Sequence, residues 1–158
     1  MKICMLGGRG VGKTSLVQQF VHSIFMDRHL SATGVRISKK SCPRMPEAIN
    51  LHIWDIEEET EGGEIRPAYL NGAAGFLLVA DGTRPHTLDL ALDLRSRAID
   101  LVGIIPHVIL INKVDLGPAF ILRDQDLIPL QEIGITYFKT SAKTGLAVNE
   151  AFCFMASL

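Results

Sequence analysis

Gly7-Gly8-Arg9-Gly10-Val11-Gly12-Lys13-Thr14 satisfies the pattern GxxxxGK[ST] at every fixed position. Its surroundings are those the pattern requires: an apolar run over residues 3–6 before it and a helical stretch over residues 15–21 after it. Strand, glycine loop and helix in that order make an anion cradle. Glycines let successive backbone N–H groups turn inward on one anion, and the helix that follows adds its positive end. Gly8, Gly10, Val11, Gly12 and Ser15 are the candidate cradle residues. Lys13 would meet the terminal phosphates of a nucleotide, and the Thr14 hydroxyl would hold Mg²⁺. Taken alone, the eight residues also read as a glycine-rich surface turn.

Outward from this loop, strand and helix signals alternate to the end of the chain, which predicts an α/β fold. Residues 22–31 are polar and without periodicity, a loop. Residues 33–40 and 49–56 are strand candidates separated by a turn at 41–47 that carries Pro43 and Pro46, so they form a hairpin at a sheet edge. An acidic, glycine-containing segment follows over 57–64, and then a short helix ends near Leu70. Residues 76–80 and 107–111 are unbroken apolar runs, as in strands buried on both faces. Between them, Leu88, Ala91, Leu92, Ala98 and Leu101 mark an amphipathic helix over 86–102, with Pro85 suited to its first turn. A weaker helix over 124–133 contains Pro129. A last strand over 135–138 and a final helix from about residue 147 complete a mostly parallel six-stranded sheet with one antiparallel edge hairpin and helices on both faces.

A chain of 158 residues, 47% apolar and 21% charged, is expected to be one globular domain over 1–158, its last helix short enough that a tail could follow. The net charge of −1 gives no electrostatic case for nucleic acid. Cys4, Cys42 and Cys153 are far apart in sequence and lack metal-ligand spacing, so reduced, buried thiols are expected. The five histidines form no ligand pair. No apolar run reaches the length of a membrane span, and Lys2 and the ending Cys153-Phe154-Met155-Ala156-Ser157-Leu158 fit no lipidation signal. A cytoplasmic protein without a membrane anchor in these residues is the expectation.

In a parallel sheet, ligands bind beyond the carboxyl ends of the strands, and each remaining motif falls at such an end. Asn112-Lys113-Val114-Asp115 fits NKxD, Ser141-Ala142-Lys143 fits SAK, and Asp55 closes a strand. With the glycine loop, these residues resemble the Ras superfamily of small GTPases, and the Rab-like branch most closely, over essentially the whole chain. The resemblance implies a G domain of the P-loop NTPase class that binds GTP or GDP with Mg²⁺ and works as a monomeric switch for protein partners. The chemistry agrees. Guanine presents an N1–H beside an exocyclic amine, and a fixed carboxylate such as Asp115 can accept from both, whereas adenine would leave it unpaired.

By the same resemblance, Asn112 ties the loops together, Lys113 lies along the base, and the Ala142 backbone meets the guanine carbonyl with Ser141 and Lys143 in support. Phe25 matches an aromatic residue edge-on to the base; it reads equally as a core phenylalanine. Asp55 matches the aspartate that reaches Mg²⁺ through water, the alternative being a solvated strand-end carboxylate. Ile37, Trp54 and Tyr69 match the apolar triad with which Rab-like proteins meet effectors, although a tryptophan on a two-sided sheet also reads as core.

The switch segments depart from the family. Where it reads DTAGQE, this chain reads Asp55-Ile56-Glu57-Glu58-Glu59-Thr60. Glu58 replaces the glycine whose N–H senses the terminal phosphate, and a carboxylate there is repelled. Glu59 stands at the water-orienting glutamine: it can accept a hydrogen bond from the attacking water but donate none to the transition state. At the family's usual spacing stands Ala32, with Thr33 one position late, so either Thr33 still reaches Mg²⁺ or that ligand is missing. Arg9 either blocks a partner's arginine finger or supplies a cation itself. A GTPase with slow intrinsic hydrolysis and an unusual switch is the expectation, the alternative being a GTP- or GDP-bound interaction module that does not hydrolyse. NKxD argues against a P-loop kinase.

Overall fold

The computed structural model describes residues 1–23, 34–43, 47–57 and 65–158. Among them, six strands, β1 (Lys2–Leu6), β2 (Val35–Cys42), β3 (Ile49–Ile56), β4 (Gly75–Asp81), β5 (His107–Asn112) and β6 (Tyr137–Lys139), form one sheet in the order β2-β3-β1-β4-β5-β6. β2 and β3 pair antiparallel, with Val35 opposite Ile56 and Cys42 opposite Ile49. The other neighbours are parallel. The hairpin at the edge and the parallel body are those expected from the sequence.

The helices are α1 (Lys13–His22), α2 (Pro67–Leu70), α3 (His86–Val102), α4 (Asp124–Glu132) and α5 (Val148–Ser157). Strand alternation divides the core between the two faces of the sheet. Ile3 and Met5 of β1 pack with Leu16, Val17 and Phe20 of α1 and with Ala151, Phe152 and Met155 of α5. Cys4 and Leu6, one residue out of phase, pack with Leu88, Ala91, Leu94 and Ala98 of α3 and with Leu127 and Leu130 of α4. Phe20 and Phe152 stack with centroids 4.2 Å apart, which fixes α1 against α5. β4 is buried along its whole length, as its unbroken apolar run predicts.

Most element bounds lie within one or two residues of the sequence reading, and three differences have a structural reason. The last strand begins at Tyr137 rather than at 135, because Ile135 closes α4. Gly134 takes φ +73°, the Ile135 N–H donates to the Leu130 carbonyl at 2.8 Å, and Ile135 is buried with the α3/α4 core. β2 runs on to Cys42, into the predicted turn, because Cys42 is buried under α5. A 3-10 helix over Val114–Ala119 follows β5, where the sequence reading assigned no element. Pro129 lies within α4, which keeps its helical form over Asp124–Glu132.

β1 is the strand at which the order reverses: the chain builds outward from it to β3 and β2 on one side and to β4, β5 and β6 on the other. The crevice beyond its carboxyl end is where an α/β sheet takes its ligand. The glycine loop opens there.

Candidate functional site

Residues 7–12 join β1 to α1 as a tight loop whose glycines have steric reasons. At Gly12, φ is +101° and a Cβ would stand 2.3 Å from Asn112 Nδ2. At Gly7, φ is +147° and a Cβ would stand 2.3 Å from the Val79 carbonyl oxygen of β4. Either substitution would push the loop off its neighbours. α1 forms its first backbone bond from Leu16 N–H to Gly12 O at 2.9 Å, so the N–H groups of its opening turn, including those of Thr14 and Ser15, remain outside the helical ladder. Lys13, 8% exposed, lies back across the loop, and its Nζ donates to the carbonyls of Gly7 at 2.5 Å and Gly8 at 3.1 Å. The loop's own backbone thus holds the ammonium.

Asn112, at the end of β5 and 2% exposed, joins three segments. Its Nδ2 donates to the Val11 carbonyl at 3.0 Å, and its Oδ1 accepts from the Ala142 N–H at 3.1 Å and from the Thr140 hydroxyl at 3.4 Å. The predicted tie between loops is a specific set of bonds. Ser141, fully buried, donates its hydroxyl to Asp115 Oδ1 at 2.6 Å and accepts from the Thr144 N–H at 3.0 Å, so the carboxylate is aimed from behind. Lys143 is exposed at the rim. The Ala142 N–H, expected from the resemblance to face a base carbonyl, donates to Asn112 Oδ1.

Lys113 has φ +73°, a left-handed conformation that strains a residue with a side chain. Its Nζ makes an ion pair at 2.7 Å with Asp81, the last residue of β4, which is completely buried. Asp81 also takes Arg84 Nε at 2.9 Å and the N–H and hydroxyl of Thr83 at 2.9 and 2.7 Å. Burial pushes its carboxyl up, but the bonds from Lys113, Thr83 and Arg84 outweigh it and hold the pKa down to about 2. Arg84 goes on to donate from Nη2 to the Arg9 carbonyl at 3.1 Å, so this hub braces the glycine loop from the side. The sequence reading missed Asp81, Thr83 and Arg84. Their position just past the end of a buried parallel strand was the available signal.

A family model described as Ras family matches residues 2–158. The chain belongs to the Ras family. It is 32% identical to Ras-related protein Rab-32A of Dictyostelium discoideum over 98% of this chain and 75% of that protein. It is 30% identical to Ras-related protein Rab-7b of Mus musculus over 99% and 81% of the two chains. To Ras-related protein SEC4 of Saccharomyces cerevisiae it is 29% identical over 100% and 74%. Rab proteins thus supply its curated relatives, and it is a small GTPase, a nucleotide-dependent switch that hydrolyses GTP. Members of the family bind guanine nucleotides, typically with Mg²⁺, and interact with effectors and regulators.

In this Ras-family chain, Asp55 lies near the end of β3, 5% exposed, and pairs in register with Met5, two residues before the glycine loop begins. Its Oδ1 is buried and accepts no hydrogen bond from the described residues, while the residue is otherwise engaged. Thr14 stands in the opening turn of α1 on the other side of the loop. A carboxylate and a hydroxyl are hard oxygen donors, which fits Mg²⁺. Phe25, Ala32, Thr33, Glu58 and Glu59 lie outside the described residues.

On the flank, Ile37 of β2 is 55% exposed and stands opposite Trp54 of β3. Trp54 is half-buried, with Lys2 Nζ 3.7 Å over its ring, so it is neither fully core nor fully surface. Cys4, the register partner of Trp54, donates its thiol to the Tyr69 carbonyl at 3.5 Å. Ile37, Trp54 and Tyr69 therefore belong to one side of the GTPase, near the edge hairpin. Among the described residues, no helix is long and apolar enough to cross a membrane.

Proposed function

We propose that this chain is one G domain that holds GTP or GDP with the phosphates in the loop of Gly8, Gly10, Val11, Gly12, Lys13, Thr14 and Ser15 and the base between Asn112-Lys113-Val114-Asp115 and Ser141-Ala142-Lys143. The observation that carries this reading is the bonding of Asn112 to Val11 and Ala142, which makes the phosphate loop and both base loops one unit. Asp115, oriented by Ser141, accepts from N1–H and the exocyclic amine of guanine. Lys13 neutralises the terminal phosphates, and the Lys113 stem covers one face of the base. Phe25 meets the base edge.

Thr14, Asp55 and, from the first switch segment, Thr33 are the residues that would hold Mg²⁺. Bound there, the ion supplies charge neutralisation at the phosphates. Glu58 and Glu59 then act against turnover: Glu58 repels the terminal phosphate, and Glu59 orients water only as an acceptor. Slow intrinsic hydrolysis follows. The acidic pair also favours a second reading, an interaction module that remains in one nucleotide state.

Ile37, Trp54 and Tyr69 form the surface that reads out the bound state to a protein partner, and the domain acts as a cytoplasmic monomer without nucleic acid. Single-turnover hydrolysis by the GTP-loaded protein tests the proposal: phosphate release well below that of an ordinary small GTPase is expected, and an equal or faster rate would overturn the slow-switch reading. Equal partner binding with GDP and GTP would favour the module.

A further inference from the structure

We propose that Cys42 and Cys153 are a redox modification site, forming an intramolecular disulfide that stitches the edge hairpin to α5. The two cysteines are 111 residues apart in sequence, yet their Sγ atoms lie 2.8 Å from one another, with the thiol of Cys153 directed at Cys42. A disulfide bond is about 2.05 Å long, so closure asks the two sulfurs to approach by less than about 1 Å. Both side chains belong to the core between the sheet and α1/α5. Cys42 is the last residue of β2 and fully buried, whereas Cys153 lies midway along α5 and is half-buried. Cys4 belongs to the opposite core and hydrogen-bonds to Tyr69, so it stands apart from this pair.

The difference in exposure orders the chemistry. The co-reactant is a small-molecule disulfide, such as oxidised glutathione. The Cys153 thiolate attacks one of its sulfurs, forming a mixed disulfide and expelling the first small thiolate. Cys42 then loses its proton and attacks Cys153 Sγ. The second small thiol leaves, the protein disulfide forms, and the two cysteines together have lost two electrons and two protons to the reagent. Burial, with the hydrogen bond to Cys153 behind it, pushes the Cys42 thiol up to about 12, so its thiolate is scarce and the second step is the slower one.

The bond would leave the nucleotide site in place. Val35 begins β2 opposite Ile56, at the end of the hairpin next to Asp55, and Cys42 ends it opposite Ile49. Seven residue steps of strand put the disulfide roughly 23 Å from that end. Its effect falls on the hairpin, joined to α5 across a long stretch of chain, and therefore on unfolding rather than on nucleotide affinity.

The test is incubation of the full chain with oxidised glutathione, followed by alkylation, non-reducing peptide mapping and thermal melting. The expected result is an early glutathione adduct on Cys153, then a Cys42–Cys153 cross-link with Cys4 still a thiol, and a melting temperature raised by roughly 5–10 °C that dithiothreitol restores. Cys153→Ala should abolish adduct and cross-link together, whereas Cys42→Ala should keep the adduct and lose the cross-link. Three alkylatable thiols persisting after oxidation, a cross-link to Cys4, or a disulfide only between two copies of the chain would each overturn the proposal.

Discussion

Asn112 Nδ2 donates to the Val11 carbonyl at 3.0 Å across 101 residues of chain. The same side chain accepts the Ala142 N–H, so one buried amide sets the distance between the glycine loop and the loop after β6. Asn112→Ala leaves a buried N–H and a buried carbonyl without partners. The expected loss is about 2–4 kcal/mol of stability in urea unfolding, with nucleotide release accelerated at least ~10-fold in a fluorescent-nucleotide chase.

Base selection is the role we propose for Asp115. Asp115→Ala removes the acceptor pair and leaves Ser141 without the carboxylate it supports. Competition binding should show GDP affinity reduced at least ~100-fold and the preference for GDP over ADP nearly gone. Because Asp115 is partly exposed, the fold should melt within a few degrees of the parent.

Gly12→Ala tests the packing of the loop. The new methyl would fall 2.3 Å from Asn112 Nδ2 on a backbone at φ +101°. Both terms act against the same contact, so a cost of roughly 2–4 kcal/mol and loss of nucleotide retention are expected, read by unfolding and by gel filtration with bound nucleotide.

Asp81 predicts an acid-sensitive window. Its pKa is lowered from 3.8 to about 2 in the fold, so the native state favours the ionised carboxylate. The resulting stability, about 2 kcal/mol, is fully present above pH ~4 and disappears as the pH falls through the folded value near 2. Asp81→Asn should remove most of that slope between pH 4 and 2. It should also lower stability at pH 7, where Lys113 and Arg84 lose their shared anion.

The switch chemistry is tested by restoring it. On the proposed reading, Glu59→Gln together with Glu58→Gly would return a donor for the water and an N–H without a repelling side chain. Single-turnover GTP hydrolysis should rise by about 10-fold or more over the parent, with GDP affinity unchanged. An unaltered rate would remove these two residues from the account.

What the sequence disclosed and what it hid have different physical origins. The glycine loop, Asn112, Asp115 and Ser141 were legible as candidates because their motifs have fixed residue types at fixed spacing, and β4 was legible because burial on both faces demands an unbroken apolar run. Asp81 was hidden because a strand-end aspartate is unremarkable until Lys113 and Arg84, 32 and 3 residues away, are seen to converge on it. Ile135 reads as strand in the sequence because an apolar residue next to a strand and one that closes a helix look alike there; Gly134 and the bond to Leu130 decide between them. The approach of Cys42 to Cys153 depends on the sheet edge lying under α5, a tertiary fact without a local signature.

The most direct measurement is the identity of the nucleotide carried by the protein after gentle purification in Mg²⁺, released by denaturation and separated by anion-exchange chromatography. Near-stoichiometric GDP or GTP is predicted, and Asp115→Ala should lose it. Adenine nucleotide at comparable occupancy, or a folded parent protein that neither retains nor takes up guanine nucleotide, would contradict the account.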